Sequence, residues 1–211
     1  IGWKGRNWMQ ALGLNLQREV PLMIRHFDLV TRRNLVSGPQ NRSLVAEAVY
    51  QEFVSSYSDL LQRATRADFM TYLTEDILVK VDRASMLHSL EIRAPFLDYR
   101  LIEFAFATIP SHLKATTQER KILLKRLSKR LLPPNFDSQR KQGFSIPLNS
   151  WLQKGAFREL FHEVLLHPKS LFSRSKIQHL LRWQDRGSNN AERLFGLVMI
   201  ELWRREYGIS F

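Results

Sequence analysis

The sequence predicts a mainly α fold, and three observations predict it. Apolar residues recur mostly at helical spacing, stretches in which Val, Ile or Thr alternate with polar residues are scarce, and Gly and Pro number only 9 and 8 in 211 residues. A hydrophobic content of 44% is enough for a sizeable core.

From about Trp8 to Val36 the pattern predicts one or two helices interrupted at Pro21, and Ser37-Gly38-Pro39 predicts a loop. A second helix is expected from about Ser43 through Tyr57, with Val45, Val49, Phe53 and Val54 on one face, and a third over about Ser58 to Tyr72. Thr74 reads as an N-cap, with Glu75 and Asp76 in the first turn, where the helix dipole favours carboxylates. The helix it would open, EDILVKVDRASMLHS, places Ile77, Val81, Ala84 and His88 on one stripe. The adjacent stripe, Asp82, Ser85, Met86 and Ser89, is mostly small and polar, so a ligand or another backbone could approach Asp82.

Ala94 precedes a proline and is expected to be extended, which sends Glu91 and Arg93 to one side and Ile92 to the other. Asp98 should cap an apolar helix, YRLIEFAFAT, that Pro110 ends. Thr116 with Glu119 fits a capping box for ERKILLKRLSKRLL, an amphipathic helix in which Ile122, Leu123, Leu127 and Leu131 make one face, Lys121, Lys125, Lys129 and Arg130 mostly cover the rest, and Pro133-Pro134 stops the run. The polar run NFDSQRKQGFSIPLNSW predicts a mobile loop from about Asn135 to Ile146. Asn149 or Ser150, Ser173 or Ser175, and Asn190 are the expected caps of three further helices.

Composition narrows the chemistry. The absence of cysteine excludes disulfides, zinc–thiolate sites, iron–sulfur clusters and thiol nucleophiles from this chain, and it agrees with a reducing compartment. The first ten residues, IGWKGRNWMQ, lack the order of a signal peptide, and no long apolar run offers a membrane span, so a cytoplasmic protein without a membrane partner is expected. The first residue is Ile rather than Met, which raises the expectation of a fragment. A net charge of +12 would attract polyanions. Because no helix-turn-helix or RNA-binding signature accompanies the KRLSKR run, nucleic acid is not the expected partner. Gly-rich phosphate loops, HExxH and metal-spaced His clusters are all missing.

By spacing alone, Asp82, Glu91, Arg93 and Asp98 fit either an ion-pair network locking helix to turn or the wall of a site, and Lys141 fits an exposed loop lysine. The run LTEDILVKVDRASMLHSLEIRAPFLDYRLIEFAFATIP, the lysines at 114 and 121, LLP at 131 to 133 and RKQGFSIPLNSWL together resemble the carboxy-terminal part of the asparagine synthetase family, glutamine-hydrolysing type. The pattern DRxSMxxSLExRxPFLD is met at Asp82, Arg83, Ser85, Met86, Ser89, Leu90, Glu91, Arg93, Pro95, Phe96, Leu97 and Asp98, and the likeness is strongest over residues 73–152.

The resemblance implies that residues 1–211 are the helical portion of an α/β synthetase domain of the ATP-pyrophosphatase type (adenine nucleotide alpha hydrolase-like), with its parallel sheet missing. It implies an enzyme that adenylates a carboxylate, aspartate in most members, with Mg-ATP, and then forms an amide with ammonia from an upstream glutaminase domain, releasing AMP and pyrophosphate. Lys141 matches the lysine of a Lys-x-x-Phe element, completed by Phe144, that meets the ATP phosphates, with Arg140 and Gly143 as its loop neighbours. Asp82, Glu91 and Arg93 are expected at the wall of the substrate and ATP site. The family's leading cysteine, its SGGxDS loop and its acidic GEGxDE segment are absent from this chain, so the principal ATP and Mg2+ ligands are expected outside it. The chain alone is therefore expected to be inactive. Its helices at 99–108 and 191–207, lacking a sheet to cover, should favour homo-oligomers. The alternative reading is a basic helical nucleic-acid-binding module or a non-catalytic interaction module.

Overall fold

A computed structural model of the chain describes residues 9, 12, 13, 15, 26–36, 59–137 and 146–210, with the backbone alone at Leu29, Val30 and Arg33. Among the described residues all regular structure is helical, and the extended pairing is limited to two isolated bridges, Val36 with Phe172 and Ala115 with Arg120. Most of the expected helices before Phe27, the one over Ser43 to Tyr57, and most of the loop from Asn135 to Ile146 lie outside the described residues. The chain divides into two compact units.

The first unit contains residues 26–36 and 146–210. Helix α1 (Leu29–Leu35) begins at Asp28, whose carboxylate accepts the Thr31 N–H at 3.0 Å. Further along, the unit's remaining helices are α7 (Leu148–Trp151), α8 (Ala156–Leu166), α9 (Arg174–Asp185) and α10 (Ala191–Glu206). Residues at helical spacing meet in one core: Phe161, Val164 and Leu165 from α8, Ile177, Leu180 and Leu181 from α9, and Leu194, Leu197 and Val198 from α10. Each such side chain contributes about 1.5–3 kcal/mol when withdrawn from water.

The expected caps here fall at or near helix starts but do not cap. Ser173 and Asn190 precede α9 and α10 without accepting a helix N–H; Asn190 Oδ1 instead accepts from the Arg193 guanidinium at 3.1 Å. Asn149 and Ser150 lie inside α7, which Pro147 opens, because the proline's fixed φ already suits a helix start.

Among the described residues of this unit two carboxylates are buried, Asp28 and Glu201. Glu201, fully shielded from solvent, accepts from Arg204 at 2.6 Å, from Arg205 at 3.2 Å and from the Leu171 N–H at 3.2 Å. The two guanidinium groups also reach the Lys169, Ile209 and Val164 carbonyls. Burial pushes the Glu201 carboxyl up, yet the hydrogen bonds from Arg204, Leu171 and Arg205 outweigh it and hold the group below its usual range.

The second unit contains residues 59–137. Helix α2 (Leu60–Asp68) starts at Asp59, whose carboxylate accepts the Gln62 N–H at 2.8 Å. It continues without a break through a π-helical segment, Phe69–Leu78, into α3 (Val79–Met86). Thr74 is therefore no N-cap. Its backbone is already helical, and its hydroxyl donates back to the Met70 carbonyl at 3.0 Å, as the Thr71 hydroxyl does to Ala67 at 2.6 Å. Such back-bonding loosens the ordinary ladder and suits the wider helix.

Next come α4 (Tyr99–Ala107), α5 (Ser111–Lys114) and α6 (Ile122–Leu131). Thr116 does accept the Glu119 N–H at 3.0 Å, but this closes a turn, and α6 begins only after Lys121 in a left-handed conformation at φ 57°. The apolar face of α6 is only partly covered: Ile122 is buried, while Leu127 and Leu131 are exposed together with Leu124. Its neighbour α5 has four residues and is too short to cover them.

Replacing Glu201 with Ala should cost the first unit about 3–5 kcal/mol, since it leaves two guanidinium groups without their buried partner. Because the folded carboxyl titrates below its usual 4.5, this stabilisation is complete above that value and is lost as pH falls through the folded pKa. As pH falls, thermal melts of wild type and Glu201→Gln should therefore draw together; a difference that widens toward acid would contradict the assignment.

Candidate functional site

Helix α3 ends where a serine adopts a conformation that glycine usually supplies. Ser89 has φ 55°, its N–H donates to the Met86 carbonyl at 3.0 Å, and the Leu90 N–H reaches back to the Ser85 carbonyl at 3.0 Å. This paired bonding satisfies the last carbonyls of the helix and turns the chain sharply out of it. A side chain in that region costs about 1 kcal/mol, so the turn is held by its hydrogen bonds rather than by local preference.

Beyond the turn, residues 90–94 belong to no helix, bridge or turn. Ala94 has φ −103° and ψ 102°, as its place before Pro95 requires, and Pro95–Leu97 form a single 3-10 turn. Two residues apart on one side of this stretch, Glu91 and Arg93 pair at 2.6 Å with both side chains exposed. Asp98 then starts α4 as expected: its carboxylate accepts the Arg100 N–H at 2.9 Å and the Arg100 guanidinium at 2.9 and 2.7 Å. Those bonds hold the Asp98 carboxyl below its usual range.

Asp82 lies on α3, exposed, and among the described residues its carboxylate makes no hydrogen bond or ion pair. The stripe expected around it is split, because the helix ends before His88 and Ser89, and because Ser85 is buried with its hydroxyl on the Asp82 carbonyl at 3.0 Å. The four charges are thus no interlocked network. Two local pairs, Glu91–Arg93 and Asp98–Arg100, stand beside a lone carboxylate. Arg140, Lys141, Gly143 and Phe144 lie outside the described residues.

A second cluster was not foreseen from the sequence. The Lys114 ammonium donates to Gln62 Oε1 at 3.0 Å and lies 5.2 Å from the centroid of the Phe106 ring, while Ser111 Oγ donates to the Asp59 carboxylate at 2.8 Å. Burial lowers the Lys114 pKa and Asp59 partly restores it; the Gln62 N–H and the Ser111 hydroxyl lower that of Asp59. These contacts tie α2, α4 and α5 together, so Lys114 is engaged in holding the unit. Asp59 preceding an apolar run was the available signal for the cap.

Among the described residues no three or more His, Asp or Glu side chains gather as a metal set. By themselves they do not fit a magnesium site. What the arrangement offers is an open face of paired and unpaired charges flanked by apolar side chains, able to meet a small polar ligand but not to enclose one.

Comparison with known proteins covers nearly the whole chain. The family model described as Asparagine synthase matches residues 3–205. A Mycobacterium tuberculosis (strain ATCC 25618 / H37Rv) protein bearing the name of a glutamine-hydrolyzing asparagine synthetase is 27% identical over 208 residues, 96% of this chain and 31% of its own length. Asparagine synthetase (glutamine-hydrolyzing) 1 of Bacillus subtilis (strain 168) is 36% identical over 99 residues, 47% of this chain and 15% of its own. The chain thus spans less than a third of the curated relatives it matches. No solved structure matches it significantly.

Because Asp82, Glu91 and Arg93 support no buried contact, Asp82→Ala, Glu91→Ala and Arg93→Ala should leave the melting temperature and the far-ultraviolet circular dichroism unchanged. A marked loss of helicity in any of the three would contradict their placement on an open surface.

Proposed function

The chain belongs to the asparagine synthase family, and on that premise we propose that it is the carboxy-terminal helical part of a synthetase domain that activates a carboxylate with ATP. The observation that carries the reading is the run from Asp82 to Asp98. It meets the family pattern residue by residue, and it leaves Asp82, Glu91 and Arg93 exposed where stability alone would not need them.

In the proposed reaction a carboxylate oxygen of the substrate, aspartate in the first instance, attacks the α-phosphorus of ATP. The bond to the bridging oxygen breaks and pyrophosphate leaves. Ammonia from a glutaminase domain then attacks the acyl carbon, AMP departs, and the extra proton on nitrogen is released. Lys141 would stand at the phosphates, where a fixed cation stabilises the charge gathering on the departing pyrophosphate more than it stabilises bound ATP. Arg93 would meet substrate carboxylate, Glu91 would orient that guanidinium through their pair, and Asp82 would accept from a substrate amino group. The described residues supply no phosphate cradle, so the ATP-pyrophosphatase sheet and the principal ATP and Mg2+ ligands belong to the rest of the proposed protein.

In the complete protein, Lys141→Ala should slow carboxylate-dependent pyrophosphate release by about two to three orders of magnitude, or about 3–4 kcal/mol, and leave glutamine hydrolysis largely intact. An unaltered release rate would remove Lys141 from the site. The 211-residue chain by itself should bind Mg-ATP too weakly for calorimetry, since one loop lysine does not make a shaped anion site. Micromolar binding would refute the division of labour.

A further inference from the structure

We propose that Gln184 and Asp185, the last two residues of α9, are positioning residues for Lys141: with Asn149 and Arg158 they clasp α7, the single helical turn that opens at Pro147, six residues after the lysine. The proposal rests on Lys141 meeting the ATP phosphates.

All four side chains of the clasp lie in the first unit. At the start of α7, Gln184 Nε2 donates to Asn149 Oδ1 at 2.9 Å, and Gln184 Oε1 accepts the Asn190 N–H at 2.7 Å. Asn149 Nδ2 in turn donates to Asn189 Oδ1 at 3.3 Å. At the end of α7, Arg158 of α8 donates to the Leu152 carbonyl at 3.0 Å and to the two oxygens of Asp185 at 2.6 and 3.1 Å. Two consecutive residues thus hold both ends of one turn. The bonds from Arg158 keep the Asp185 carboxyl below its usual range, so the fork stays charged at neutral pH.

Stability alone does not call for these bonds. Leu148 and Leu152 are buried and already fasten α7 to the core. The clasp is partly exposed, with the Arg158 side chain 30% and the Asp185 side chain 42% open to solvent, and ion pairs so placed add little to stability. What they fix is the rotation of α7 about its leucines and the direction in which the chain enters it. A four-residue helix does not fix these itself, because a lone turn is unstable in isolation. Asn149 is also a poor helix former that does no capping; inside α7 it supplies the tie to Gln184. Helix α7 belongs to the run RKQGFSIPLNSWL, and only residues 142–146 separate Lys141 from Pro147. A side chain on so short a connection reaches its ligand at a smaller entropic cost when one end of the connection is already fixed.

Carboxylate-dependent pyrophosphate exchange by the complete protein tests the clasp, with kcat and the KM for ATP measured separately. Arg158→Lys keeps the charge but loses the fork that reaches two acceptors. That variant and Gln184→Ala should each raise the KM for ATP about three- to tenfold and leave kcat within about twofold, because freedom restored to the stem weakens bound ATP and the transition state alike. Gln184→Glu, which still accepts from Asn190 and accepts in turn from an Asn149 amide rotated to donate, should remain close to wild type. In a Lys141→Ala background, Gln184→Ala should add no further rise in KM. A structural role alone would lower the fraction of active protein, and so kcat, at constant KM. That result, a KM unmoved by both substitutions, or full additivity with Lys141→Ala would each overturn the proposal while leaving Lys141 at the phosphates. Exchange unaltered by Lys141→Ala itself would instead remove the lysine from the site, and the role of the clasp with it.

Discussion

The constraint on which the first unit depends is the fully buried carboxylate of Glu201. A charge in an apolar core is tolerated only when its hydrogen bonds are met, and here two arginines of the same helix and one backbone N–H meet them. Because the arginines also reach carbonyls at Val164, Lys169 and Ile209, satisfying the charge fixes the end of α8 and the approach to α9 against the last turns of α10. The leucines and phenylalanines around it supply the larger share of the stabilising energy. The carboxylate specifies which register of α10 they pack against, since a helix rotated by one residue would bury the charge without its partners.

The second unit is built on the opposite principle. Its helices are tied by a small polar knot of Asp59, Gln62, Ser111 and Lys114 and by the edge-on contact of Phe69 with Phe106, 5.6 Å between centroids. Much of its apolar surface stays open, and α4, in spite of its composition, contains no buried residue. Proteins seldom leave such surface uncovered without a use. The open face carries the run of residues that matches the family pattern, and the Ser89 turn delivers Glu91 and Arg93 onto it.

Helix type and much of the helix layout were legible in the sequence because they depend on local rules. Asp98 caps α4 because a short acceptor before an apolar run has no better partner, and Ala94 is extended because Pro95 leaves it little else. The failures came where the deciding partner is distant in sequence or absent from it. Thr74 resembles a cap in isolation, but a helix arriving from Asp59 makes it an interior residue. The leucines of α6 have the spacing of a core face, yet spacing does not say whether a neighbour exists. Of the candidate site, the charges and the turn before Pro95 were readable; the left-handed Ser89, the engagement of Lys114 with Gln62 and the solitary exposure of Asp82 depend on tertiary context.

In the proposed function, this chain forms part of a site where a carboxylate becomes an acyl adenylate before nitrogen arrives. Adenylation is reversible until ammonia attacks, so it can be observed separately from amide formation. The direct measurement is carboxylate-dependent exchange of labelled pyrophosphate into ATP by the complete protein, with glutamine and ammonia withheld. Exchange should require the carboxylate and fall when Lys141 is replaced. Amide synthesis accompanied by ADP and phosphate, with no exchange under any carboxylate that is turned over, would contradict it.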